Sequence, residues 1–194
     1  MEAAYVYADS GKALRHFICG MAEGDDTDSG EYSFTGIETI AENAFYAPWN
    51  VKRVFFDAAL ATVKKEAFKD AGELEVFCCG KLLQNNSEDS IQNLEVNDMA
   101  KNSSQAFSVE TAAFSGCTAL HTVIFPKCGT LKIEKNAFAG CYVLRTVVAL
   151  ADEIKWTENP FKDCPQELVF VCYKDSGVEQ FARENGYRYV HVQQ

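Results

Sequence analysis

Thiols and imidazoles have the widest chemical reach of the side chains in this chain. A thiolate attacks carbonyls or binds soft metals, and a histidine moves protons or ligates zinc. There are eight cysteines and three histidines. Cys19, Cys78, Cys79, Cys117, Cys128, Cys141, Cys164 and Cys172 contain no Cys-x-x-Cys half-site, and His16, His121 and His191 are too far apart for a local ligand set. Cys78 and Cys79 are adjacent, so a strand through them turns one thiol inward and the other outward. An outward Cys78 is the one candidate for a reactive thiol, although no His or Asn signature accompanies it. His121 follows Leu120 and is expected to point outward, solvated or in contact with a partner.

Hard-ion chemistry is suggested by Glu23-Gly-Asp-Asp-Thr-Asp-Ser-Gly-Glu31. Asp26 and Asp28 suit the first two ligand slots of a calcium loop, but Gly30 stands at the fifth and no helix pattern precedes them, so a solvated turn is expected. Gly-x-Ser-x-Gly, the Gly-x-x-x-x-Gly-Lys phosphate loop, His-Glu-x-x-His and Gly-x-Gly-x-x-Gly are all missing. The reading is a non-enzyme with no metal and no cofactor. Asn85 and Asn102 each open a formal glycosylation triplet, which chance alone supplies often.

The 194 residues are 47% hydrophobic, enough for a substantial core, and 18 Lys and Arg against 28 Asp and Glu leave a net charge of −10. That balance disfavours nucleic acid and anionic membrane surfaces as partners. No apolar stretch approaches the ~20 residues of a membrane span, and no basic leader with an apolar run opens the chain, so neither insertion nor an export signal is expected.

The elements that hold these side chains follow from repetition. Phe45, Phe68, Phe114, Phe138 and Phe161 are separated by 23, 46, 24 and 23 residues. Ala44, Ala67, Ala113, Ala137 and Pro160 precede them. Three residues after each Phe come Pro48, Ala71, Cys117, Cys141 and Cys164, then Val51, Leu74, Leu120 and Leu144, then Val54, Phe77, Val123 and Val147. Since 46 is twice 23, a worn copy is read at 82–106 with Leu82, Leu83, Ile91, Leu94 and Val96 as its apolar set, making six units. The other reading of that segment is an insertion of indifferent length. A 23-residue unit ending in Leu-x-x-Val-x-Phe is too short for two helices, and its period-2 close predicts one short strand. Stacked units bury a face that none buries alone, so equivalent positions become interior ladders. Cys117, Cys141 and Cys164 are then small apolar fillers, the alternative being stacked thiols that oxidise or catch a metal.

The template resembles the BspA-type leucine-rich repeats of bacterial and some protozoan surface proteins. It is fullest in Val109-Glu-Thr-Ala-Ala-Phe-Ser-Gly-Cys-Thr-Ala-Leu-His-Thr-Val-Ile-Phe-Pro126 and in Ile133-Glu-Lys-Asn-Ala-Phe-Ala-Gly-Cys-Tyr-Val-Leu-Arg-Thr-Val147, and covers about residues 37–172. The resemblance implies an α+β repeat solenoid: a right-handed leucine-rich-repeat array with one short strand per unit and a C-terminal helix cap. It further implies a protein–protein interaction or adhesion module at a cell surface, whose partner is a host or bacterial surface protein.

Residues 1–36 lack the repeat phase and are expected to form an N-terminal cover, with Leu14, Phe17 and Cys19 in an opening strand. Residues 173–194 read as the C-terminal cap. Ser176 with Glu179 makes a capping box, Val178, Phe181 and Ala182 share one helical face, Gly186 stops the helix, and Tyr187 to Val192 close as a strand. The whole is one domain and is expected to be monomeric.

Within each Leu-x-x-Val-x-Phe strand the x positions should line the concave sheet face. Lys52, Glu75, His121 and Arg145 form one column; Arg53, Val76, Thr122 and Thr146 the next; Phe55, Cys78, Ile124 and Val148 a third. The third is apolar, so it is either an interaction surface or a strip covered by the chain's own side chains or termini. The candidate binding residues are Lys52, Arg53, Phe55, Glu75, His121, Thr122, Ile124, Arg145, Thr146 and Val148, with exposure of Phe55, Ile124 and Val148 as the deciding observation. The competing function is a structural spacer, a scaffold rod with no specific ligand.

Overall fold

The computed structural model describes residues 4–8, 11–18, 30–45, 48, 50–80 and 102–192. In chain order it shows β1 (Ala4–Ala8), β2 (Ala13–Ile18), β3 (Glu31–Phe34), β4 (Thr39–Ile40), β5 (Arg53–Phe56), β6 (Thr62–Val63) and β7 (Val76–Cys79). There follow β8 (Asn102–Val109), β9 (Thr122–Ile124), β10 (Cys128–Ile133), β11 (Thr146–Val148), β12 (Ala151–Trp156), β13 (Val169–Cys172), α1 (Gly177–Glu184) and β14 (Arg188–His191). Two sheets result. The first, sheet A, runs β1-β2-β4-β6-β8-β10-β12; the second, sheet B, runs β14-β13-β11-β9-β7-β5-β3. All described neighbours are parallel except β1 and β2. Each turn of the chain thus gives one strand to each sheet, in six turns from β2–β3 to β12–β13, and the structure is a parallel β-solenoid.

The solenoid, its repeat length and its C-terminal helix are as expected, with one addition. The apolar residue that opens each unit, Ile40, Val63, Val109 or Ile133, is almost fully buried and sits on a sheet A strand of its own. A two-residue strand such as β4 has no alternation to read, so sequence periodicity is blind to it.

The six turns are not where the ruler of 23 put them. β7 pairs directly with β9, Val76 opposite Thr122, and β6 pairs directly with β8, Val63 opposite Val109. Phe68 stacks on Phe114 at 5.0 Å and 4°. The turns of Phe68 and Phe114 are therefore direct neighbours, and the worn copy expected at 82–106 falls mostly on residues outside the described set. The sixth turn is instead N-terminal. Phe17 stacks on Phe45 at 5.0 Å, its N–H donates to the Ala44 carbonyl as Phe45 does to Ala67, and β3 pairs in register with β5. Phe17 stands 28 residues before Phe45, which breaks the 23-residue spacing and hid this turn. Cys19, Asp26 and Asp28 lie outside the described residues, while Glu31 is ion-paired to Arg53.

The interior is a column of rings, Phe17, Phe45, Phe68, Phe114, Phe138 and Phe161, with centroids 4.3–5.0 Å apart. Each such pair adds about 0.5–1.5 kcal/mol beyond the burial of its area. The backbone turns sharply after each Phe. Gly116 and Gly140 hold φ of +78° and +76°, and Asp70 and Asp163 occupy the same template position at +58° and +63°. This left-handed geometry is the reason for glycine in Ala-Phe-x-Gly-Cys.

Neighbouring turns are also stitched by carboxylates. Glu110 accepts from the Lys65 N–H at 3.0 Å, and Glu134 accepts from both the N–H and the hydroxyl of Thr111 at 2.9 and 2.6 Å. At the C-terminus Ser176 caps α1, its hydroxyl oxygen accepting from the Glu179 N–H at 3.3 Å. Val178, Phe181 and Ala182 are buried as the helical spacing requires, and Gly186 at φ +74° ends the element. A Cβ at Gly177 would stand 3.1–3.2 Å from the backbone of β12, and Trp156 meets Phe181 edge-on, so α1 lies close over the end of sheet A. Among the described residues no helix is long and apolar enough to cross a membrane.

Candidate interaction surface

Parallel pairing without slip brings the sequence columns into physical lines. Glu31, Arg53, Val76, Thr122, Thr146, Val169 and Arg188 are consecutive partners across sheet B. Ser33, Phe55, Cys78, Ile124, Val148, Val171 and Val190 form the next outward line. Between them the inward residues Val54, Phe77, Val123, Val147 and Phe170 belong to the main core.

The third predicted column is contiguous, but it does not offer an apolar surface. Ile124 is 1% exposed, Val148 0%, and Phe55 only partly so. Together with Cys78, Leu150, Val171 and Tyr173 they form a second apolar cluster on the far face of sheet B, flanked by Phe55, Val76 and Val192. The Lys127 ammonium sits 5.2 Å from the Tyr173 ring centroid at the edge of this cluster. Phe55, Ile124 and Val148 are therefore packing residues, and their place among the candidate binding residues is withdrawn.

What stays accessible is the polar rim. Arg53 lies between Glu31, its ion-pair partner, and Glu75 at 3.7 Å, a three-residue bridge across β3, β5 and β7. Lys52 is half-buried and Arg145 exposed, and neither makes an ion pair among the described residues. His121 is half-buried, its Nδ1 2.9 Å from the hydroxyl of Thr122, which is itself buried. Thr146 is partly exposed in line with Thr122. Two residues that sequence reasoning passed over complete the rim. Tyr142 is 62% and Val143 39% exposed, just ahead of Arg145. The signal was in the template: between the Cys and Leu positions the other units carry Trp49-Asn50, Gly72-Glu73, Thr118-Ala119 and Pro165-Gln166-Glu167, and only this one carries two consecutive large apolar residues.

The thiols are arranged for packing. Cys117, Cys141 and Cys164 donate to the carbonyls of Phe68, Phe114 and Phe138 at 3.0, 3.2 and 3.3 Å. Burial raises all three, Cys164 to about 12 and the other two further. Cys78 does point to the far face of sheet B while Cys79 faces the core, yet Cys78 is 1% exposed and burial pushes its thiol up to about 12. The premise of a reactive exposed thiol there fails. Among the described residues no three His, Cys, Asp or Glu side chains converge to hold a metal.

Two parallel sheets wound from one repeating turn, with a ring ladder inside and a cysteine at a fixed step, define a leucine-rich-repeat solenoid. The chain belongs to the BspA type leucine rich repeat region family, whose six-copy model matches residues 38–167. Among solved structures it is similar to the pneumococcal vaccine antigen PcpA, at 16% identity and a TM-score of 0.41 over 87% of this chain. The match spans 45% of that protein's length. No curated protein matches the chain.

Proposed function

We propose that this solenoid is a protein-interaction module whose partner lies along the outward rim and first column of sheet B. One observation carries the reading: unshifted register lines up Arg53, Val76, Thr122 and Thr146 across four turns, flanked by Lys52, Glu75, His121 and Arg145. A line of chemically varied side chains on rigid strands, partly exposed at Arg53, Val76 and Thr146 and buried at Thr122, suits recognition, because little side-chain freedom is lost on docking. The polar residues of the predicted set, Lys52, Arg53, Glu75, His121, Thr122, Arg145 and Thr146, are retained in this proposal. The family supports an adhesive role at a cell surface, with a host or bacterial surface protein as partner.

The test is site-specific photo-crosslinking. A photoreactive residue at Thr146 on sheet B is expected to capture a partner that the same residue at Lys132, exposed on sheet A, does not. The captured protein, purified, should then bind the native chain and bind Lys52→Glu/Thr146→Arg at least tenfold more weakly. Equal capture from both faces, or unchanged affinity in the double variant, would overturn the assignment.

A further inference from the structure

We propose that the rim of sheet B at the fourth and fifth turns takes a carboxylate of an acidic partner segment between His121 Nε2 and the Arg145 guanidinium. Tyr142 and Val143 receive that segment's apolar neighbour. This rests on sheet B being the partner face, and it names the partner's chemistry.

The geometry begins with adjacency. The Arg145 N–H donates to the His121 carbonyl at 3.0 Å, and paired strands stand about 4.8 Å apart, so the two side chains leave neighbouring positions on one rim. The His121 ring is oriented through Nδ1 by the Thr122 hydroxyl at 2.9 Å. That contact occupies Nδ1 and leaves Nε2 with no partner among the described residues. Arg145 is exposed and forms no ion pair among the described residues, whereas Arg53 three turns away is held by Glu31 and Glu75. An unpaired guanidinium offers a carboxylate two parallel N–H donors.

Tyr142 and Val143 supply two of the four exposed large hydrophobics among the described residues, and they are consecutive. Tyr and Arg at one spot are the residue types that carry most binding energy in protein interfaces. Charge narrows the choice of partner. On a chain of net charge −10 the unpaired Arg145 is the cation of this part of the rim, and it attracts an acidic segment here. Glu167, exposed on the next turn, bounds the site on that side.

The test uses the whole chain, isotopically labelled, and two probe peptides: acetyl-Leu-Glu-Leu-Glu-amide and its Lys analogue acetyl-Leu-Lys-Leu-Lys-amide. NMR titration is expected to show saturable shifts at the His121 ring and the amides of residues 142–146 with the acidic peptide only. Affinity should fall at least tenfold in Arg145→Gln, and also in Tyr142→Ser, both exposed positions where folding is retained. No saturable shift, or equal binding by Arg145→Gln, overturns the carboxylate site. If shifts stay on sheet B without depending on Arg145, the partner face stands and this inference fails. Shifts centred on Lys132 and Lys155 of sheet A would remove both.

Discussion

Replacing Phe68 and Phe114 by Leu, singly and together, asks whether the third and fourth turns truly touch. Phe114 stacks on Phe68 and Phe138, each at 5.0 Å, and meets Phe77 edge-on at 4.9 Å. Leucine keeps most of the buried volume and loses all three ring pairs. At about 0.5–1.5 kcal/mol each, Phe114→Leu costs about 2–4 kcal/mol. Phe68→Leu loses contacts to Phe45, Phe77 and Phe114 and costs a similar amount. The Phe68–Phe114 pair is counted in both single variants, so the double variant should be less destabilised than their sum by about 0.5–1.5 kcal/mol. Urea unfolding followed by far-UV circular dichroism measures each value. Phe45→Leu with Phe138→Leu is the control, because those rings share no described partner and their effects should add within about 0.5 kcal/mol. An additive Phe68/Phe114 pair would mean that the two rings are not in contact, and the direct stacking of the third turn on the fourth would be wrong.

Four further outcomes are expected. Ala112 holds φ +56° with no special side chain, at the position Asn136 fills at +56°, so Ala112→Asn or Ala112→Gly should raise stability by about 0.5–1 kcal/mol in the same urea assay. In the cap, Ser176→Ala should cost about 1 kcal/mol. The Glu179 carboxyl is held below its ordinary value, first by the Asp175 N–H at 2.7 Å and then by His191 at 2.9 Å. Its contribution is therefore present above the ordinary value of 4.5 and is lost as pH falls below it; thermal melts from pH 6 to 3 should show this loss, and Glu179→Gln should flatten it. Mass-spectrometric mapping after treatment with a thiol reagent should find Cys117, Cys141 and Cys164 unmodified in the native protein and fully modified in 8 M urea, since their thiols are buried and held protonated.

The ladder positions were legible because side-chain identity and spacing alone impose them. Phe45 and Phe138 stack where the 23-residue frame requires, and Ser176 and Glu179 cap α1 from a signature four residues long. Three things were not legible, each for a physical reason. Phe17 belongs to the same ladder at a spacing that a longer connection to Phe45 obscures. A gap of twice the period between Phe68 and Phe114 invites an extra unit, yet the two rings are direct neighbours in the stack, and spacing alone does not tell which turns touch. Alternation assigned Ile124 and Val148 to the correct side of sheet B and gave no measure of depth. Depth depends on Leu150 and Tyr173, which lie beyond the strand ends, where periodicity carries no information. The rim was half legible: Arg145 and His121 fell in the predicted column, while Tyr142 and Val143 needed the exposure of their turn to be seen.

A partner's footprint on the solenoid tests sheet B as the interaction face most directly. Hydrogen-exchange mass spectrometry on the native chain, free and saturated with the partner captured at Thr146, reads that contact across both sheets at once. Added protection is expected in peptides spanning residues 50–56, 74–77, 118–124 and 142–148, with β10 and β12 unchanged. Protection confined to β10 and β12, or none on sheet B, would contradict it.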